Sequence, residues 1–333
     1  MSAPGGRERR PRISRRPPSR LSLRVEPSDA GALLLAFCVR RGAIPLEEAR
    51  ASIDRGGAYV DGKRIYAAQR ELKAGETVEL HLRERGEAPK AEALSPERIL
   101  HLDAELIAVD KPAGVLAQEG LAGGPDLPSL TTQLLLARGE ASATALLVHR
   151  LDRGTTGVTL LARTKSAQTV LLDAFRDGKV EKEYLALCAV PPAQLLLADE
   201  TFEVDLALGA DENAAGRRKP DPLGQPAKTH FLVLQRWPGA ALLSCFPKTG
   251  RTHQIRVHLA SVGLPLLGDA RYGGPRLFTR ADGERLDLTR PMLHAHALQT
   301  QHPAGGALNV EAPPPADLLA AIAFLDGAAA PRG

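Results

Sequence analysis

His149-Arg150-Leu151-Asp152-Arg153-Gly154-Thr155-Thr156-Gly157 sets a single carboxylate in a Gly/Thr-rich bend between two apolar segments. Farther along, Lys248-Thr249-Gly250-Arg251-Thr252-His253-Gln254-Ile255-Arg256-Val257-His258-Leu259 sets three cations and two more histidines in a turn that opens a helix. The two runs frame the architecture around them. Val158–Ala162 reads as a strand directly after the Asp152 bend, and Thr164 or Ser166 caps the helix that follows. In that helix Ala167, Val170, Leu171, Ala174 and Phe175 recur at i, i+3, i+4, i+7 and i+8, and Gly178 stops it. Thr252 to Val262 predicts a second helix, with Ile255, Leu259 and Val262 turned inward and Gly263 behind it.

Strands are predicted at Ile99–Leu102, Leu106–Val109, 180–190, 229–236 and 241–246, with a turn at Lys111-Pro112-Ala113-Gly114. Residues 209–228 are rich in Gly, Pro and charge and read as a surface loop between strands. Strands outnumber helices and hairpin-length connections recur. The fold class is therefore α+β: a mixed, mainly antiparallel sheet with flanking helices, over residues 97–326.

Ahead of it, residues 21–84 form a small unit. Leu33, Leu34, Phe37 and Cys38 have helical spacing, and Pro45 begins a second helix in which Leu46, Ala49 and Ile53 share a face up to Gly56-Gly57. Two strands then flank the Asp61-Gly62 hairpin turn, and a last strand covers 77–82. Residues 85–96 read as a linker and 327–333 as a tail. The net charge of +4 over 333 residues is unevenly placed. Seven arginines against Glu8 give residues 1–20 a charge of +6, leaving the rest at −2. An Arg/Pro/Ser/Gly-rich arm of this composition is predicted to be disordered and drawn to phosphates. Cys38, Cys188 and Cys245 lie far apart in apolar stretches and read as buried thiols of a reducing compartment. No apolar run approaches membrane-span length and no signal peptide is visible, so the chain is expected in the cytoplasm, with no membrane partner.

Asp152 is the central chemical candidate. An apolar frame alone would hold its carboxyl protonated, so a guanidinium partner is needed, and Arg256 is the choice. Lys248 and Arg251, in the turn before the helix, suit phosphate contacts. Tyr184 offers a flat face on which a nucleobase can stack and a phenol within reach of a proton. On the small unit Arg50, Arg55, Lys63 and Arg64 stand on the polar sides, and its likeness to the S4 RNA-binding module implies that they are the RNA contacts. His294-x-His296, with His253 and His258, invites a metal reading. No cysteine or carboxylate stands at ligand spacing from these pairs, so they are taken as structural and no metal is assigned.

The ordered set resembles the large pseudouridine synthase family, whose signature is H-R-L-D-x-x-T-S-G followed by G-R-T-H-Q-I-R. The match runs from Asp110-Lys111-Pro112-Ala113-Gly114 through Lys182-x-Tyr184-Leu185-Ala186-Leu187 to Gly268-Asp269-x-x-Tyr272-Gly273, Leu293-His294-Ala295-His296 and His302-Pro303. Thr156 stands where the family usually has Ser, and Gln118 where a His is common. The resemblance implies a pseudouridine-synthase-type catalytic domain with Asp152 as nucleophile, Tyr184 packed on the target base and Arg256 paired to Asp152. It also implies that Arg150 enters the base stack, with Ile255, Arg251 and Lys248 in the substrate-binding set. The family needs no metal or organic cofactor. The small unit resembles the S4 RNA-binding module, an arrangement seen in members that act on ribosomal RNA, although Gly31-Ala32 replaces its usual Arg-Leu-Asp opening. The expected partner is ribosomal RNA, with transfer RNA as the alternative, and the expected state is a monomer. Two rivals stand beside this reading: a non-catalytic RNA-binding or ribosome-assembly protein, and a metal-dependent hydrolase built on His294 and His296.

Overall fold

The computed structural model describes residues 20–54, 58–65, 67–81, 94–118, 126–140, 142–191, 200–212 and 216–327. They form two compact units, one within residues 1–90 and the other within 91–333. The first unit comprises β1 (Arg20–Arg24), α1 (Leu34–Gly42), α2 (Leu46–Asp54), β2 (Ala58–Val60), β3 (Lys63–Ile65) and β4 (Thr77–His81). Its sheet is antiparallel in the order β1-β4-β2-β3. Leu34, Phe37 and Cys38 of α1 and Ala49 and Ile53 of α2 pack on Val78 and Leu80, so the helical apolar stripe meets one face of the sheet. Asp29 is 4% exposed and is neutralised by Arg40 and Arg41, each at 2.7 Å.

One expectation for this unit is corrected. A strand precedes the helices, and Arg20, assigned to the disordered arm, begins it. Leu21 and Leu23 pack against the core while Ser22 and Arg24 alternate with them, the period of a half-buried strand pairing with β4. Residues 1–19, Arg55, Gly56-Gly57 and most of the anticipated linker lie outside the described residues.

The second unit comprises β5 (Ile99–Leu102), β6 (Leu106–Lys111), α3 (Leu127–Ala137), β7 (Leu146–Leu147), β8 (Thr156–Ala162), α4 (Lys165–Arg176) and β9 (Glu181–Ala189). It continues with β10 (Thr201–Asp205), β11 (Leu208–Ala210), β12 (Arg218–Pro220), β13 (Lys228–Trp237), β14 (Ala240–Pro247) and α5 (Gln254–Ser261). β15 (Leu277–Thr279), β16 (Arg285–Asp287), β17 (Leu293–Gln301), β18 (Ala307–Glu311) and α6 (Ala316–Leu325) complete it. The large sheet runs β10-β13-β14-β9-β17-β8-β6-β5, with β18 beside β17 and β7 beside β8. Within this sheet only the β17–β8 pairing is parallel among the described residues. The mixed, mainly antiparallel α+β architecture read from the sequence is the observed one.

Both faces of this sheet are covered, and alternate residues of a strand serve opposite layers. Leu106 and Ala108 of β6 pack with Ala167 and Leu171 of α4, whereas Ile107 and Val109 pack with Leu127, Leu130, Leu134 and Leu135 of α3. Ala186 and Cys188 of β9 meet Ile255 and Leu259 of α5, while Leu185 and Leu187 meet Leu318, Ala321 and Leu325 of α6. Three sequence readings change here. α3, started by an Asp126 cap on the Ser129 amide at 2.8 Å, was not anticipated. The segment read as one loop over 209–228 holds the β11–β12 hairpin. The helix expected from Thr252 starts at Gln254, because His253 takes a left-handed φ of 59° that ends the turn before it. All three cysteines are buried thiols. No helix among the described residues is long and apolar enough to cross a membrane.

Candidate active site

Asp152 lies in the bend between β7 and β8, and four clasps fix that bend. His149 Nε2 accepts the Leu160 amide at 2.9 Å, and its ring stacks on Phe175 with centroids 4.5 Å apart. Burial pushes the His149 pKa down to about 3, so the ring serves as a neutral acceptor. The Gly114 amide donates to the Arg153 carbonyl at 2.8 Å, and Arg153 Nε donates back to the Gly114 carbonyl at 3.0 Å. Lys111 is fully buried; its Nζ donates to the carbonyls of Pro112 and Val115 at 3.0 Å and of Arg153 at 3.4 Å. Arg290 Nη1 donates to the carbonyls of Gly154 at 3.3 Å, Pro291 at 3.0 Å and Leu293 at 3.1 Å. The rest of the Arg290 guanidinium grips Asp317 of α6 at 2.6 and 2.8 Å. Below the bend, a Cβ on Gly157 would lie 2.1 Å from the Ala295 carbonyl oxygen, so only glycine permits β8 to approach β17 this closely.

Across the bend, Arg256 of α5 joins two carboxylates. Its Nη1 donates to Asp152 Oδ2 at 2.9 Å, while Nε and Nη2 donate to Asp269 Oδ2 and Oδ1 at 2.7 and 2.8 Å. Burial alone would weaken its charge. The bidentate bonds and charge of Asp269, and then Asp152, outweigh that burial and raise the pKa further, so the guanidinium stays cationic. Its Cζ also lies 5.0 Å from the centre of the Tyr272 ring. Asp269 is 1% exposed and Asp152 24%, which makes one carboxylate an anchor and the other an accessible group. Oδ1 of Asp152 has no hydrogen-bond partner among the described residues. A carboxylate tied through one oxygen in this way retains the other for attack on an electrophile.

The other predicted residues distribute around this pair. Tyr184, on β9 opposite Cys245 and Ala295, is partly buried, and burial together with the charge of Asp152 raises its phenol pKa. Arg150 is exposed at the mouth of the bend, and Lys248 and Arg251 are exposed in the turn before α5. Arg251 Nε donates to the Pro226 carbonyl at 3.1 Å, beside a cavity of about 380 Å³ between that turn and the β11–β12 hairpin. Ile255, placed in the substrate set, is 5% exposed and points into the core with Phe231 and Leu243, because α5 turns that side of the helix to the sheet. On the first unit Arg50 is exposed on α2; Lys63 and Arg64 lie on β3, and Arg55 is outside the described residues.

Sequence reasoning assigned no role to Lys111, Asp269, Arg290 or Asp317. For Lys111 and Asp269 the signal was present, since both lie in motifs already singled out; what they touch was not visible. Burial pushes the Lys111 pKa down to about 7, against the pull of Asp152. The histidines of the metal reading are engaged elsewhere. His294 bonds Thr156 at 2.9 Å and the Ala312 carbonyl at 3.2 Å, and His258 bonds Thr229 at 3.0 Å and the Leu206 carbonyl at 3.1 Å. The fold does gather His101, Asp103 and His302. Their ligand atoms are already hydrogen-bonded, at 2.6 and 2.9 Å through Asp103 Oδ2. His302 Nδ1 accepts the Ala304 amide at 3.1 Å, which places the ring proton on Nε2, facing Asp103.

A sequence profile described as RNA pseudouridylate synthase matches residues 105–261. The chain is similar to the "Ribosomal large subunit pseudouridine synthase D" of Nitrosomonas europaea, 34% identical over 83% of this chain and 77% of that one. It is also similar to the protein of that name from Xanthomonas campestris pv. campestris, 33% identical over 80% of each. Among solved structures, human RNA Pseudouridylate Synthase Domain Containing 4 superposes with a TM-score of 0.54 at 25% identity, over 69% of this chain and 93% of that one.

Proposed function

Because this chain belongs to the RNA pseudouridylate synthase family, we propose that it isomerises uridines of large-subunit ribosomal RNA, with Asp152 as nucleophile. In this reaction the N1–C1′ bond of the uridine breaks, the uracil turns, and C5 bonds to C1′. The C5 proton leaves and N1 gains one, so atoms balance without an added reactant. The observation that carries the reading is the Asp152 carboxylate, held through Oδ2 by Arg256 at 2.9 Å and open through Oδ1. That oxygen serves attack at C6 of the base or at C1′ of the sugar equally. The target base must first leave its stack, at a cost of a few kcal/mol. In this reading Arg150, exposed at the rim, takes the vacated place, Tyr184 packs on the flipped uracil, and Lys248 and Arg251 hold flanking phosphates. The large-subunit RNA assignment rests on the names of the relatives. The first unit, two helices on a small antiparallel sheet, supports an S4-like RNA-binding role with Arg50, Arg55, Lys63 and Arg64 as contacts.

Asp152→Asn and Asp152→Ala should abolish pseudouridine formation on a large-subunit ribosomal transcript while RNA binding persists. Turnover of a few per cent of wild type in Asp152→Ala would remove Asp152 from the nucleophile's place. Pseudouridine mapping in cells lacking the protein checks the substrate: a site lost from transfer RNA, with ribosomal RNA intact, would overturn that assignment.

A further inference from the structure

His253 was read from the sequence as structural, yet the fold directs it at the nucleophile. Its φ of 59° is left-handed, an uncommon conformation outside glycine that His, Asn and Asp adopt more readily than other residues. This sharp turn folds the imidazole back beside α5, where it is 13% exposed and its Nε2 lies 3.7 Å from Asp152 Oδ2. On the far side, Nδ1 lies 2.6 Å from Tyr272 Oη, and Oη accepts the Arg218 backbone amide at 2.9 Å. A phenol oxygen already receiving an amide proton has its own proton to give, and Nδ1 is the acceptor within reach. Nδ1 is then unprotonated, and the ring hydrogen sits on Nε2, facing the carboxylate. The charged groups around the ring are Asp152, Arg256, Arg271 and Asp269. Burial dominates over them and lowers the imidazole pKa, which keeps His253 neutral at pH 7.

We propose that His253 is a positioning residue for Asp152: its Nε2–H, in the tautomer fixed by Tyr272, holds the same oxygen as Arg256 and thereby assigns Oδ1 to the attack. Arg256 alone leaves the carboxylate free to turn about the Nη1···Oδ2 line; a second donor on the same oxygen removes that freedom. The 3.7 Å separation needs to shorten by about 0.7 Å to become a hydrogen bond, the kind of tightening that accompanies substrate binding. The inference rests on the isomerisation proposed above.

The test is steady-state and single-turnover tritium release from a large-subunit ribosomal transcript tritiated at uridine C5, with RNA affinity and melting temperature measured alongside. His253→Asn suits the left-handed backbone and can still accept from Tyr272, but it carries nothing at the Nε2 position. It should lower kcat about 100-fold, with KM and melting temperature unchanged. His253→Gln, which restores an amide N–H near that position, should recover at least tenfold of the loss. Tyr272→Phe should lower kcat less than His253→Asn, and the double variant should be no slower than His253→Asn alone, since both act through one ring. Wild-type kcat in His253→Asn, a loss confined to KM, or additive effects in the double variant would overturn the proposal. Should His253→Asn fail to fold, the His253→Gln and Tyr272→Phe comparison decides it in the same terms. Failure of the wild-type protein to release tritium would instead defeat the proposed function.

Discussion

Replacing Arg256 by lysine keeps a positive charge and removes a shape. The guanidinium spans two carboxylates with three charge-assisted bonds of 2.7, 2.8 and 2.9 Å. A lysine ammonium is a single nitrogen and cannot make the bidentate contact with Asp269 while also reaching Asp152. Asp269, at 1% exposure, suffers most from losing its partner, so the ammonium should stay there and release Asp152. A charge-assisted bond contributes about 1.5–3 kcal/mol, so its loss in the transition state lowers kcat by roughly ten- to 150-fold. Loss of one Asp269 contact costs a similar amount in stability, or about 3–12 °C in melting temperature for a unit of this size. Arg256 is 8% exposed, and RNA affinity should change little. Single-turnover pseudouridine formation, filter binding and thermal melting separate these quantities. Weaker RNA binding with an intact single-turnover rate would place Arg256 among the phosphate contacts and refute the reasoning.

Asp269→Asn should reproduce the Arg256→Lys phenotype, because the amide presents one donor to a guanidinium that needs two acceptors; full activity would show that Arg256 needs no anchor. His149 and His294 are held neutral, with folded pKa values of about 3 and about 4 against 6.5 unfolded. The unfolded chain therefore takes up protons first as pH falls, so their contribution is complete above pH 6.5 and declines towards pH 4 and 3. His149→Gln should flatten the dependence of melting temperature on pH between 4 and 6.5; an unchanged slope would mean that His149 does not titrate this way. Gly157→Ala should cost at least about 3 kcal/mol by driving β8 from β17, measured by denaturant unfolding.

The Asp152–Arg256 pair was legible because each residue sits in a short motif whose neighbours allow one geometry: a Gly/Thr bend after an apolar run, and a helix start after Lys248-Thr249-Gly250. β5, β6, β8, β9, β13 and β14 were legible for the same local reason, since apolar runs between turn residues identify them regardless of pairing, whereas β10, β17 and β18 went unassigned. α3 carried a readable period in Leu127, Leu130, Leu134 and Leu135 and went unassigned. β1 was hidden because its five residues abut an arginine-rich arm whose composition dominates them. Arg290 and Asp317 were illegible in a stricter sense. A buried Arg–Asp pair has no sequence period, and which carboxylate a guanidinium reaches depends on how the sheet brings β17, α5 and α6 together. His253 illustrates the limit: its motif was quoted, but the left-handed turn that aims it at Asp152 is a backbone fact.

The Arg290 clasp has a temporal meaning. Asp152 and its bend are synthesised early, whereas Arg290, Pro291 and the Asp317 that anchors Arg290 come far later in the chain. At elongation rates of about 5–20 residues per second the interval between Asp152 and Asp317 is on the order of ten to thirty seconds. During that time a nascent chain already carries the nucleophile, the His149, Gly114–Arg153 and Lys111 clasps and, later, Arg256, but lacks the completed Arg290 clasp. The fourth clasp therefore closes only when α6 docks. A chain released shortly before residue 317 should contain every motif residue while its bend is held by three clasps of the four.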